Sequence, residues 1–185
     1  MQFKKYTFLL FSLIAFVSCQ EMKPAETQAT KEKKEAIDKI AQQNSDANAI
    51  SQITTVVQSF ADAYAKGDLD DQLKTTPSGL KYFVNNPGRG QIHPVPGDMV
   101  NVHYYGVLPD GTKFDSSFDR MAPFSFRLGM GEVIKGWDEG IPLMKDGGSF
   151  VFFVPPHLAY GERGAGTIGG NQELIFLVLL NGFYR

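Results

Sequence analysis

The run Val100-Asn101-Val102-His103-Tyr104-Tyr105 alternates along its length. In an extended chain this sends Val100, Val102 and Tyr104 to one face and Asn101, His103 and Tyr105 to the other, so the first face meets a core or a pocket. Just downstream, Leu108-Pro109-Asp110-Gly111-Thr112 is a reverse turn of the Asp-Gly kind, and Lys113-Phe114-Asp115 beyond it should pair back as an antiparallel strand. Pro123-Phe124-Ser125-Phe126-Arg127-Leu128 alternates again. Phe150–Val154 and Leu174–Leu180 are apolar runs bounded by Gly and Pro, and Ser78–Val84 is a further strand closed by the turn Asn85-Asn86-Pro87-Gly88. Between the strands, residues 132–144 place Val133, Trp137, Ile141 and Met144 at steps of four, four and three, which predicts a short helix with one apolar face. Five or six antiparallel strands and one helix specify an α+β fold, an antiparallel half-barrel sheet wrapped around the short helix, over residues 78–185.

Upstream of this domain the chain changes character three times. Lys4 and Lys5 precede an apolar run from Tyr6 to Val17, the pattern of a secretory signal over residues 1–18. It ends at Ser18-Cys19, and Cys19 is the only cysteine, so no intramolecular disulfide can form. A small residue before a cysteine at this point resembles the lipobox of bacterial lipoproteins, which implies lipidation of Cys19. The expected location is therefore export and a lipid anchor in a bacterial membrane, at the outer membrane or the periplasmic face. Phe16 departs from the leucine usual three positions before the cysteine. Residues 19–35 are polar, with balanced Lys and Glu, and read as a flexible tether. Residues 36–67 then predict an N-terminal helix: Ile50, Ile53, Val57, Phe60 and Tyr64 share one face and Gly67 stops it. That stripe either packs on its own domain or forms a homodimer contact or stalk.

Composition narrows the function. A chain of 185 residues is one domain with extensions. Its 18 Lys and Arg against 20 Asp and Glu supply no phosphate-neutralising surface, so nucleic acid is not an expected partner. His93, His103 and His157 lie far apart without Cys or carboxylate at ligand spacing; they read as surface or strand-edge residues, and no metal is expected. There is no Gly-x-Ser-x-Gly elbow, and the glycines at 161, 164, 166, 169 and 170 lack the strand-to-helix phosphate-loop pattern. Asp115 and Asp119 suggest a carboxylate pair, but neither the cleft nor the raised pKa that glycosidase-like chemistry requires is visible in the sequence. What remains is an aromatic-lined concavity with a carboxylate and a phenol beside it.

The string VNVHYYGVLPDGTKFDSSFDRMAPFSFRLGMGEVIKGWDEGIPLMKDGG, followed by HLAYGERGAG and ELIFLVLL, resembles the FKBP-type peptidyl-prolyl cis-trans isomerases, the tacrolimus-binding immunophilins. The resemblance covers roughly residues 78–185, and its motifs fall in the family's order. It implies catalytic roles at Tyr104, Phe114, Asp115 and Tyr160, and a substrate pocket built by Phe124, Val133, Ile134, Trp137 and Phe176, with Trp137 as the floor under the proline ring. It further implies that the Ile134 backbone N–H and the Tyr160 hydroxyl donate to ligand carbonyls, while Asp115 accepts near the twisting amide. The implied activity is isomerisation of X-Pro bonds during folding of exported proteins, with proline-containing polypeptide clients, tacrolimus-like macrolides as ligands and no cofactor. A non-catalytic FKBP-like chaperone or assembly module is the alternative. One departure stands out: Ile168-Gly169-Gly170-Asn171 occupies the place of the family's usual proline pair, which predicts a freer flap over the pocket.

Overall fold

The computed structural model describes residues 31–37 and 47–185. The expected signal, Cys19 and most of the expected tether lie outside them. Seven antiparallel strands, β1 (Lys74–Thr75), β2 (Lys81–Asn86), β3 (Met99–Val107), β4 (Lys113–Ser116), β5 (Phe124–Arg127), β6 (Ser149–Val154) and β7 (Leu174–Tyr184), form one sheet. Its order is β1-β2-β6-β7-β3-β4, and β5 also pairs with β3. Strands β4 and β5 therefore share one edge of β3. Val107 to Tyr105 pair with β4, Val102 to Met99 pair with β5, and Tyr104 sits at the break between them.

Alternation along β6 and β7 explains why their sequences are apolar without interruption. Phe150, Phe152 and Val154 join Leu174, Phe176, Val178 and Leu180 on the inner face, while Val151, Phe153, Ile175, Leu177 and Leu179 go to the outer face. Both faces are covered, the condition under which strands lose their polar side. The inner face carries the helix α3 (Lys135–Gly140), followed by a 3-10 turn over Ile141–Leu143. Gly136 and Gly140 let α3 lie flat: a Cβ at either would come within 2.5 to 2.7 Å of Val154 or Phe152.

The outer face carries two helical segments, α1 (residues 31–37) and α2 (Ala47–Ala65). Ile53, Val57 and Phe60 of the predicted stripe are fully buried against the sheet, and Phe60 meets Phe83 at 5.2 Å between ring centres. The stripe thus packs on its own domain. Gly67, at φ +77°, ends the helix as predicted: its N–H bonds to the Tyr64 carbonyl at 3.0 Å and the Asp68 N–H to that of Ala63 at 2.9 Å, the paired closure of a left-handed C-terminus.

Three expectations need correction. Helix α1 starts inside the segment read as tether, because Lys31–Ala36 are strong helix formers and Lys33 and Lys34 rest over the Phe60 and Phe83 rings at 5.6 and 5.7 Å. Helix α3 is shorter than the predicted 132–144, since Gly129 and Gly131 adopt φ +72° and Ile134 is extended. Val133 and Ile134 consequently lie on a loop ahead of the helix. Finally, His103 is buried rather than at the surface, stacked on Phe118 at 4.8 Å.

Candidate functional site

Helix α3 covers only part of the inner face, and beside it the sheet is left open as a cavity of about 430 Å³. All nine residues singled out in the sequence line it: Tyr104 from β3, Phe114 and Asp115 from β4, Phe124 from β5, Val133 and Ile134 from the loop before α3, Trp137 from α3, Tyr160 after β6, and Phe176 from β7. The remaining wall comes from Glu132 and from the loop Ala165–Ile168; of these the sequence reading had placed only Ile168, in the flap, and the flap's Gly169 and Gly170 do not line the cavity.

Trp137 is the chain's single tryptophan and lies at the centre of the aromatic array. Tyr104 and Phe176 meet it nearly edge-on at 5.0 and 5.2 Å, with interplanar angles of 78° and 74°. Phe114 meets Phe176 at 88°. Perpendicular rings place positive edges against negative faces, so the array holds its shape without filling the cavity. Trp137 is buried and its indole Nε1 has no hydrogen-bond partner among the described residues, so the floor is apolar apart from that one donor.

At one side the apolar wall gives way to a charged network. The Tyr104 hydroxyl donates to Asp115 Oδ2. Arg120 Nη1 donates to Asp115 Oδ1 at 2.8 Å and Nη2 to the Tyr104 hydroxyl at 2.6 Å. The Ser116 N–H donates a second bond to Oδ1 at 2.8 Å. A carboxylate offers about four lone-pair sites, so Oδ1 is saturated and Oδ2 keeps one for a ligand. Burial first, and then the bond to Asp115, raise the Tyr104 phenol to about 12. Burial also opposes ionisation of Asp115, but the bonds from Tyr104 and Arg120 outweigh it and hold the carboxyl below its usual 3.8. Tyr104 is thus a neutral wall whose hydroxyl is already committed, and Asp115 is a fixed anion. Burial, then the charge of Asp115, raises the Tyr160 phenol as well, so it too stays protonated.

The supporting parts are less visible in the sequence. The loop bearing Val133 and Ile134 is pinned by Asp138 of α3, which accepts from the Gly129 and Gly131 N–H groups at 2.8 and 3.2 Å. Glu132 accepts from the Arg127 N–H at 2.9 Å. The glycine flap is held by reciprocal Ala165–Ile168 backbone bonds of 2.9 and 2.8 Å and by the Asn171 N–H to the Gly161 carbonyl at 2.7 Å. At Gly170 a Cβ would fall 2.1 Å from the Glu162 carbonyl oxygen, so this glycine serves a close backbone approach. Among the described residues no cluster of His, Cys, Asp and Glu is arranged to hold a metal ion.

Comparison with known proteins gives this geometry a family. A family profile described as FKBP-type peptidyl-prolyl cis-trans isomerase matches residues 90–181. FK506-binding protein 1A of Aspergillus fumigatus is 49% identical over 105 residues, which cover 56% of this chain and 94% of that protein. The chain belongs to the FKBP-type peptidyl-prolyl cis-trans isomerases. Its FKBP domain is also 53% identical over 108 residues to the FKBP-type isomerase FkpA of Aeromonas hydrophila, matching 58% of this chain but only 39% of that longer protein. The crystal structure of FkpA from Escherichia coli superposes with a TM-score of 0.59 at 34% identity, covering 86% of this chain and 74% of that one. The likeness to that structure therefore reaches beyond the FKBP domain towards the N-terminal helices.

Proposed function

We propose that this chain catalyses cis-trans isomerisation of X-Pro bonds in polypeptides, with the cavity around Trp137 as its active site. The supporting observation is the conjunction of an aromatic floor with one fixed carboxylate at its edge. Rotation about an X-Pro bond needs no nucleophile. Its barrier is lost amide resonance, about 18–20 kcal/mol, and the uncatalysed step takes tens to hundreds of seconds. Twisting removes the charge separation of the planar amide, so a pocket that strips water from the carbonyl favours the transition state over the ground state.

In this reading Trp137 supports the proline ring, and Tyr104, Phe124 and Phe176 enclose it. The Ile134 N–H and the Tyr160 hydroxyl donate to substrate carbonyls, and the remaining lone pair on Asp115 Oδ2 faces the twisting amide. None of these groups transfers a proton, in keeping with phenols that stay neutral and a carboxylate that stays charged. The clients are proline-containing polypeptides, and tacrolimus-like macrolides would compete for the same cavity. The signal pattern and Cys19 support the further reading that the enzyme works outside the cytoplasm, lipid-anchored to a bacterial membrane, where a slow prolyl step limits refolding of exported chains.

The test is isomerisation of a proline-containing peptide by the full chain in detergent, with a tacrolimus titration alongside. Fast turnover blocked by the drug is the expected result. A folded chain that binds tacrolimus but leaves the peptide's isomerisation rate unchanged would instead establish a binding module.

A further inference from the structure

Tyr104 occupies the one place on the outer edge of β3 where no strand lies, between its pairings with β4 and β5. Both of its backbone polar groups face that gap and are buried, so each needs a partner from elsewhere. Ser117 supplies both. Its N–H donates to the Tyr104 carbonyl at 3.0 Å, and its Oγ accepts from the Tyr104 N–H at 2.8 Å. The Ser117 carbonyl in turn accepts the Arg120 N–H at 3.2 Å, in the turn that aims the guanidinium back at Asp115. One fully buried serine thus touches the backbones of two of the three residues in the charged network.

The hydroxyl has two partners in reach besides the Tyr104 N–H, His103 Nδ1 at 3.0 Å and the Tyr104 carbonyl at 3.3 Å, and the carbonyl can only accept. Its orientation is therefore set by the imidazole. His103 is buried and stacked on Phe118, and burial holds its pKa below the usual 6.5, so the ring is neutral at neutral pH. In the Nε2–H tautomer the shorter bond takes the hydroxyl hydrogen; in the Nδ1–H tautomer the ring donates to Oγ and the hydroxyl hydrogen goes to the Tyr104 carbonyl, and in both Oγ keeps a lone pair for the Tyr104 N–H.

We infer that Ser117, oriented by His103, is the positioning residue of this site. It substitutes for the missing strand beside Tyr104 and keeps the Tyr104 phenol and the Arg120 guanidinium converged on Asp115. The inference rests on the assignment of the Trp137 cavity as the active site. Neither Ser117 nor His103 lines that cavity, so their influence on the reaction passes through Tyr104 and Arg120.

The experiment compares Ser117→Ala, His103→Leu, His103→Asn and Asp115→Asn in the full chain. It measures kcat and KM on a proline peptide, thermal midpoint, and the emission of Trp137, the sole tryptophan, which reports pocket geometry directly. Small displacements of catalytic geometry cost up to about a hundredfold. Ser117→Ala and His103→Leu should lower kcat between about twofold and tenfold at nearly constant KM, within that ceiling, and should shift the Trp137 emission. His103→Asn, which returns a polar atom near Nδ1, should restore most of the rate. Because Ser117→Ala strands a buried N–H and can fail to fold, His103→Leu carries the decision. Normal kcat and unshifted emission in His103→Leu, beside a loss in Asp115→Asn, would overturn the positioning role alone. An unaffected Asp115→Asn would overturn the site assignment and the positioning role together.

Discussion

The two faces of the sheet are built from the same residue types and end in opposite outcomes. On the outer face, α2 runs for 19 residues, about 28 Å at 1.5 Å per residue, long enough to cover the strands. Its side chains interlock with Phe83, Val151, Phe153 and Leu177, and polar contacts remain only at the margin, such as Thr54 Oγ1 to the Tyr105 hydroxyl at 2.9 Å. On the inner face α3 has six residues, about 9 Å, and cannot cover the same width. The uncovered part is the cavity. Helix length, rather than hydrophobicity, separates a packed core from a binding site here, and the two faces should respond differently to mutation.

The largest effect should follow truncation of the outer core. Phe60→Ala removes a fully buried ring and should cost about 3–5 kcal/mol of stability, read from urea denaturation, while kcat/KM per folded molecule stays unchanged. On the inner face, Trp137→Leu should reverse the balance: a smaller stability loss, about 1–3 kcal/mol, with kcat/KM down by on the order of tenfold or more. If both variants lost activity only in proportion to their unfolded fraction, the functional contrast between the faces would collapse.

Next comes Asp115→Ala, which takes the shared acceptor from Tyr104 and Arg120. The ion pair is half exposed, so its removal should cost no more than about 1 kcal/mol in stability, whereas kcat/KM should fall by about fivefold to tenfold. The pH dependence sharpens this. The folded-state pKa of Asp115 lies below 3.8, so the stabilisation from its charge is complete above 3.8 and is lost as pH falls through the lower folded value. In the parent chain kcat/KM should be flat across neutral pH and decline in that acid range, and Asp115→Ala should lack that acid limb. An acid limb that survives the substitution would assign it to another group.

The same contrast explains what the sequence disclosed. Alternation and turn chemistry located β3, β4 and β5, and the continuous apolar runs of β6 and β7 already carried the signature of a sheet covered on both sides. The pocket residues were legible only through the order of their motifs, because Tyr104, Phe124 or Phe176 alone is indistinguishable from a core aromatic. Arg120 was not legible: it reaches Asp115 through a turn closed by Met121 at φ +50°, a backbone state with no apolar pattern to announce it. Asp138 was missed for a related reason, since an acid on a short helix looks like a solvated residue until the Gly129–Gly131 loop folds onto it. Helix α1 was mistaken for tether because its composition is that of a linker, and its place comes from the burial of Ile37 in the outer core and from the Phe60 and Phe83 rings beneath its lysines.

The flap offers an intermediate effect. Sequence alone predicts that two glycines loosen it, but Gly170 sits where any Cβ would press on the Glu162 carbonyl. Gly170→Ala should therefore displace the loop rather than stiffen it, raising KM for the peptide a few-fold at a stability cost of about 1–3 kcal/mol. Improved binding in Gly170→Ala would show that backbone freedom, and not close approach, governs this wall.

The smallest predicted effects come from one hydroxyl on each face. Tyr64, packed at the outer margin, donates to Glu173 at 2.9 Å and accepts from Lys81 at 3.2 Å. Tyr64→Phe keeps the ring on Phe153 and loses only those bonds, so it should cost about 1 kcal/mol of stability and leave the isomerase rate alone. Tyr160 is the inner counterpart, 40% exposed at the cavity wall. Tyr160→Phe keeps the apolar wall and removes the hydroxyl that we propose donates to a substrate carbonyl. Its stability should not change measurably, and kcat/KM should drop by about twofold to tenfold, the equivalent of one hydrogen bond of roughly 0.5–1.5 kcal/mol. The two variants delete the same atom from the same residue type, so only the coverage of the sheet around each ring can make one a stability mutant and the other a rate mutant. Equal rates for Tyr160→Phe and the parent chain would mean that the inner wall orients substrate by shape alone.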